Sequence, residues 1–323
     1  MAARSRRLMP IALYIGVGVV LVIVVPLFAG SYHMSMATQI LIFGVFAMSL
    51  DLLMGYTGLS SFGHGAPFGA AAYGTGLLVK YGFQNPALAI LAGLVMAVIV
   101  SAIFGFLAVR TSQAYFLMIT LALGQIVFAV AWNWRKLTGG DDGMPGISRP
   151  DVGLPWPMTD ATAFYFFVLV FFTLSYFLMR QFVNSPFGRS LVGIRDNEPR
   201  MKALGYNTFL HKYICFIVAG LFAGLAGVLY AFFNGFISPA EAGVGNSGEV
   251  MLMVILGGAG TLFGSAMGAG VIVLMKHYVS IYTEHWPLIV GIAFVLTIFF
   301  APRGIGGYLL PLWKRRIVTL WKR

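Results

Sequence analysis

Residues 86–109 read PALAILAGLVMAVIVSAIFGFLAV, 24 consecutive positions without a charge. An α-helix rises 1.5 Å per residue, so about 20 apolar residues cross a ~30 Å hydrocarbon core. This run is therefore long enough to span a bilayer as one helix. Working outward, runs of the same character occupy 11–29, 34–54, 62–79, 114–134, 161–179 and 213–233. Outer-membrane strands would instead alternate in segments of about 10 residues. The first run follows Arg4, Arg6 and Arg7, as the apolar core of a secretory signal would. It is long for such a core and no A-x-A cleavage site follows, so it reads as a retained signal anchor.

Composition agrees with this. The 323 residues are 59% hydrophobic and 10% charged, against the roughly 25% charged of soluble chains. The net charge of +11 does not point to nucleic acid, because the basic residues form no aromatic-interleaved patch. A single cysteine, Cys215, leaves no internal disulfide and no Cys/His zinc set.

The C-terminal third is less regular. Residues 250–275 are studded with glycines before a last apolar run at 286–300. Both chain ends are basic, with Arg4, Arg6 and Arg7 at one and Arg303, Lys314, Arg315, Arg316, Lys322 and Arg323 at the other. Short positive segments stay in the cytoplasm, so the number of crossings is even. Residues 250–275 must then be two short passes or a re-entrant hairpin. The expected fold is an all-α polytopic transmembrane helical bundle of about 8–10 membrane segments, with broken or re-entrant glycine-rich helices, over 1–323 as one domain. With both termini inside, the two ends, Arg110 and six residues at 180–212 place 16 of 21 basic residues in the cytoplasm. Lys80, Arg135, Lys136, Arg149 and Lys276 fall outside. The excess charge is thus topological.

Catalytic chemistry is not evident. No lysine follows a glycine, so the GxxxxGK[ST] phosphate cradle is missing. His33, His64, His211, His277 and His285 make no HExxH or nucleophile–base spacing. No catalytic residue, metal ligand set or bound cofactor is expected. An ion-coupled carrier needs ionisable groups at mid-membrane, and Asp51, near the cytoplasmic end of its span, is the one candidate.

Residues 55–74, GYTGLSSFGHGAPFGAAAYG, cannot form a regular helix, since glycine costs about 1 kcal/mol and proline about 3 relative to alanine. Irregular backbone at membrane depth survives where it is buried in protein or lines a wet cavity. Gly63, His64 and Gly65, with Asn246, Ser247 and Glu249 opposite, are expected to border a solute pathway. The alternative is tight helix packing through Gly65 and Gly69. A second glycine system, GGAGTLFGSAMGAG at 257–270, carries successive GxxxG spacing and reads first as packing. Both contain GxGxxxG, but neither lies between a strand and a soluble helix, which excludes a dinucleotide site.

The stretch 184–207, NSPFGRSLVGIRDNEPRMKALGYN, lies in the longest cytoplasmic loop, 180–212, and reads as two short helices. Asn197 suits a cap, Glu198 and Pro199 a first turn, and Gly205 with Asn207 a stop. Leu191, Ile194, Met201 and Leu204 are expected to form an apolar contact ridge for another protein, with Gly205 supplying a positive-φ stop. The external loop 137–160 carries TGGDDGMPGISRP and lacks the D-x-[DN]-x-[DN]-G calcium pattern. Thr138, Gly139, Gly140 and Asp141 are its candidates for a gate or partner contact.

Taken in order, GYTGLSSFGHGAPFGAAAY, LTGGDDGMPGI, SPFGRSLVGIRDNEPRMKALGYN and SPAEAGVGNSGEVMLMVILGGAGTLFGSAMGA resemble the permease subunits of bacterial branched-chain amino acid ABC importers, the LivM-like type, over about 36–308. That resemblance implies an inner-membrane subunit paired with a sister permease, two cytoplasmic ATPases that carry the ATP and Mg, and a periplasmic solute-binding protein. It also implies that 180–212 is the coupling segment, with Arg195 and Leu204 in it and Glu198, Ala203 and Gly205 at its E-A-G-like signature. Pro199 departs from the usual alanine there, and Asp51 stands where an amide or apolar residue is usual. Permeases of this type also serve urea and amides. A passive channel for small polar solutes is the competing class, distinguished by flux through the isolated chain without ATP.

Overall fold

The computed structural model describes residues 30–82, 85–111, 113–150, 158–300 and 304–307. The run at 11–29 and the two basic chain ends lie outside the described residues. The described chain is a helical bundle: α1 (Ser31–Met54), α2 (Gly65–Lys80), α3 (Pro86–Ala108), α4 (Gln113–Asn133), the single turn α5 (Arg135–Thr138), α6 (Ala161–Asn184), α7 (Pro186–Asp196), α8 (Glu198–Ala203), α9 (Thr208–Asn234), α10 (Val244–Gly257), α11 (Leu262–Tyr282) and α12 (Trp286–Phe300). Six of these, α1, α3, α4, α6, α9 and α11, are long and apolar enough to cross a membrane. Two-residue strands β1 (Met144–Pro145) and β2 (Phe236–Ile237) pair antiparallel, with Met144 opposite Ile237.

Burial separates centre from periphery. The most apolar window of α1 is 83% buried, that of α4 22%, so α1 is packed on all sides while α4 shows most of its surface outward. An apolar face turned outward has lipid or another subunit as its natural neighbour. Helix α9 packs against α1, α2 and α3 through small residues. A Cβ at Gly224 would meet Ala97, and one at Gly227 would collide with the Phe68 carbonyl oxygen.

Successive helices alternate direction. One end of the bundle gathers the Met54 end of α1, the start of α9, the α7–α8 pair and the α10–α11 turn, because Tyr56 and Arg195 bond to Gly260 and Gly55 and Lys212 bonds to Glu198. The other end holds the β1–β2 pair and the contact of Tyr32 with His277, ring centroids 6.1 Å apart.

Residues 250–275 resolve into the short helix α10, a turn, and the full-length α11. The chain leaves β2, passes the 3₁₀ turn Pro239–Ala242, and starts α10 against Gly65, inside the bundle. Lys276 does not sit in an external loop. Helix α11 continues six residues past it to Tyr282, and its ammonium is neutralised by Glu249 of α10 at 3.2 Å.

The α2–α9 contact sets a first test. Gly227→Val should overpack backbone against backbone and cost ~1–3 kcal/mol, read as a lower melting temperature of the purified protein in detergent. A surface-helix control such as Ile103→Val should leave the melting temperature unchanged.

Candidate functional site

The break at 55–64 keeps its backbone bonded as it leaves the helix. Thr57 and Leu59 both donate their N–H to the Leu53 carbonyl, at 3.1 and 3.0 Å. His64 is only 1% exposed. Its ring stacks on Phe46, centroids 5.6 Å apart, and its Nε2 lies 2.8 Å from Ser49 Oγ. Gly63 is pressed against the Thr120 carbonyl of α4 and lies beside Gly124. Gly65 donates its N–H to Ser247 Oγ at 2.8 Å, and a Cβ on it would stand 2.9 Å from that oxygen and 3.0 Å from the Gly243 carbonyl. The break is thus wedged between α4 and the N-terminus of α10, with Gly63, His64, Gly65 and Ser247 brought together and buried. Asn246 is half-buried and donates to the Glu241 carbonyl at 2.8 Å. Glu249 is not part of this contact: it turns to α11 and accepts from Lys276.

At the opposite end, Thr138 to Asp141 make a tight corner. Thr138 donates to the Ala131 carbonyl at 2.6 Å and accepts from the Gly140 N–H at 3.3 Å. Gly139 and Gly140 hold φ of 84° and 65°. Asp141 pairs with exposed Arg135 at 3.1 Å. The corner delivers the chain to β1, which pairs with β2 just before α10 begins, so it is tied to the re-entering segment by backbone bonds.

Both helices of the α7–α8 pair are capped, the second by Asn197 as its sequence suggests. Ser185 accepts from the Gly188 N–H and Asn197 from the Arg200 N–H, with Pro199 in the first turn of α8, where no amide hydrogen is required. Gly205 ends the pair at φ 87° with open space around it. Asn207 does not stop α8; it caps α9 by accepting from the Leu210 N–H at 3.0 Å. The expected contact ridge is divided. Leu191 and Ile194, 0% and 2% exposed, face the bundle, Met201 is half-buried, and only Leu204 faces outward at 67%. The pair has to be seated before it can present anything, and its buried leucine and isoleucine do the seating. Ala203, Leu204, Gly205 and Tyr206 form the outward surface.

Two polar contacts fix the pair's position. Glu198 accepts from Lys212 and Thr208 of α9 and from Lys202 of its own helix. Partial burial raises the Glu198 pKa, but the hydrogen bonds from Lys212, Lys202 and Thr208 outweigh it and hold the carboxyl at about 2. Arg195 donates through Nη1 to the Gly55 carbonyl and through Nε and Nη2 to Asp196. Beside it, buried Asp51 of α1 accepts from the Gly260 N–H at 2.6 Å, and Tyr56 donates to the Gly260 carbonyl at 3.0 Å. A cleft of 610 Å³ opens between Thr57, Leu59, Thr111 and the 194–199 segment. Asp51 was a sequence candidate only as an ion-coupling group, and Gly260 was not a candidate; a lone carboxylate at the end of an apolar run, with a Gly-Ala-Gly-Thr turn elsewhere in the chain, was the signal available. Among the described residues no group of three His, Cys, Asp or Glu is placed to hold a metal.

A family described as "branched-chain amino acid transport system / permease component" matches residues 32–301. The chain is 27% identical, over 87% of its length and 71% of the relative's, to the high-affinity branched-chain amino acid transport system permease protein LivM of Salmonella typhimurium. Against LivM of Escherichia coli the identity is 28%, over 88% and 72% of the two chains. The permease protein LivH of Salmonella typhimurium is 23% identical over 82% of this chain and 91% of its own. With one family spanning α1 to the end of α12, the chain belongs to the branched-chain amino acid transport system permease components.

Proposed function

We propose that this chain is one half of the membrane pathway of a bacterial ATP-driven importer, moving a small, net-neutral solute, a branched-chain or other amino acid, across the inner membrane. The α7–α8 end is the cytoplasmic end, and both termini lie on that side. A sister permease completes the pathway, two ATPase subunits supply ATP and Mg chemistry, and a periplasmic binding protein delivers the solute at the β1–β2 end, where the Thr138 to Asp141 corner is the contact. The observation that carries this reading is the α7–α8 pair itself. It is fastened to the bundle by Arg195 and Glu198 yet turns Ala203, Leu204 and Tyr206 outward, a seated but uncovered surface. A channel has no need of such a dock. LivM and LivH are both named as permeases of one kind of system, which supports a pairing of two different permeases. The Gly65–Ser247 contact is the point where the pathway is shut between α2 and α10.

Replacing Leu204 by Asp should put a charge where an apolar contact is made and weaken ATPase association roughly tenfold, about 1.4 kcal/mol. Co-purification with the ATPases and solute-stimulated hydrolysis should fall together while membrane insertion is unchanged. Normal values of both would remove α7–α8 as the dock.

Gly65→Leu should abolish uptake by the full complex, since the side chain has no room between Ser247 and the Gly243 carbonyl. Unchanged uptake in an assembled complex would take the pathway elsewhere.

Glu198 carries a pH consequence. Its carboxyl is depressed to about 2, so its contribution is fully present above the ordinary value of ~4.3 and is lost only as pH falls through about 2. Glu198→Gln should lower stimulated hydrolysis by a constant factor from pH 5 to 8. A factor that changes across that range would contradict the assignment.

A further inference from the structure

The geometry points to Asp51 as the anchor of a latch, in which Arg195 of α7 and the Gly260 peptide are both fastened to the C-terminal turn of α1. Movement of α7 is thereby delivered to α10 and to its contact with Gly65. This inference rests on the reading of α7–α8 as the coupling pair and goes beyond it by naming what the pair moves.

Asp51 is fully buried, and a buried carboxylate is retained only where donors hold it. Its Oδ1 accepts from the Gly260 N–H at 2.6 Å, while its Oδ2 is buried without a hydrogen-bond partner, so the Gly260 peptide is the group that holds it. The Gly260 carbonyl is taken by Tyr56 at 3.0 Å. Both polar groups of one residue are therefore held by the end of α1, and that residue sits at φ 83°, a conformation side chains other than glycine resist. From the opposite side Arg195 reaches the Gly55 carbonyl, and Gly58 would meet its stem, 2.9 Å from Arg195 Cγ, if it carried a Cβ. Arg195 is also the cation that acts on Asp51, although no hydrogen bond joins the two. Three elements distant in sequence, α1, α7 and the α10–α11 turn, meet within a few residues.

Gly258 and Gly260, with φ of 101° and 83°, stand at the foot of α10, whose 14 residues form a rod of about 21 Å. Near the far end of that rod Ser247 accepts from the Gly65 N–H. A small displacement at the glycine foot therefore tilts the contact that closes the break at α2. Asp51 and Arg195 are positioning residues in this scheme, because they touch the lever and not the solute.

The test uses the complete complex of both permeases, ATPases and binding protein in proteoliposomes, with uptake and ATP hydrolysis measured on the same vesicles. Asp51→Ala removes the acceptor of the Gly260 N–H, which Asp51→Asn keeps in its amide oxygen, and Arg195→Ala removes the tie to Gly55. Asp51→Ala should retain ATPase association and solute-stimulated hydrolysis while solute moved per ATP falls at least threefold and Asp51→Asn stays near wild type. Arg195→Ala, which also loosens the seated pair, should lower hydrolysis as well, with the same threefold fall in solute moved per ATP. Arg195→Lys, which still offers a donor to the Gly55 carbonyl, should recover most of the ratio. The double variant Asp51→Ala/Arg195→Ala should move no less solute per ATP than the more impaired single variant. An unchanged ratio in both single variants, or a double variant whose loss is the product of the two, would overturn the latch while leaving the coupling reading intact. Failure of the ATPases to associate with the wild-type chain would defeat the coupling reading itself.

Discussion

Every backbone N–H and C=O in an apolar bundle needs a partner, and this requirement organises the molecule. Regular helices meet it internally. The chain departs from helix at 55–64, at 238–243 and at 258–261, and there other residues supply the partners: Ser247 for the Gly65 N–H, Asp51 for the Gly260 N–H, Tyr56 for the Gly260 carbonyl and Arg195 for the Gly55 carbonyl. Each partner comes from a different stretch of sequence than the break it satisfies: Tyr56, inside the 55–64 break, and Asp51, just before it, serve the break at 258–261. The irregular segments are therefore fastened to one another, and none can shift alone.

Glycine has two uses in this arrangement. At Gly224 and Gly227 it lets α9 lie against α2 and α3 at backbone distance, a purely packing role. At Gly258, Gly260 and Gly205 it supplies left-handed backbone where the chain must turn. The break around Gly63 and Gly65 combines close packing with irregular backbone, since it is clamped by α4 on one side and α10 on the other. A closed contact formed by two short helix ends is what a gated pathway requires, and a wet cavity is not needed for it in the shut arrangement.

Much of this was legible in the sequence because it rests on local rules. Uncharged runs marked the spans, and Asn197, Pro199 and Gly205 marked the second helix of the pair by capping chemistry that depends on a few neighbouring residues. The length of α11 was not legible, because a lysine at 276 reads as the end of a span unless its partner Glu249, 27 positions away, is known. The seating of Leu191 and Ile194 was missed for the same reason: an apolar face on a short helix has one appearance whether it meets its own bundle or another protein. The glycine neighbours of His64 do not announce that its ring is buried on Phe46 with Nε2 beside Ser49, a pairing 15 positions away. Long-range pairing is the common element in what the sequence withheld.

Family membership makes the chain a permease component, and the proposed reading adds that it receives its work by contact at the outward face of α7–α8. The most direct measurement is solute accumulation in vesicles holding this chain with its sister permease, ATPases and binding protein, with ATP supplied only on the α7–α8 face. The account predicts accumulation against a gradient that stops when ATP or the ATPases are withheld. Equal flux through this chain alone, without ATP, would contradict it.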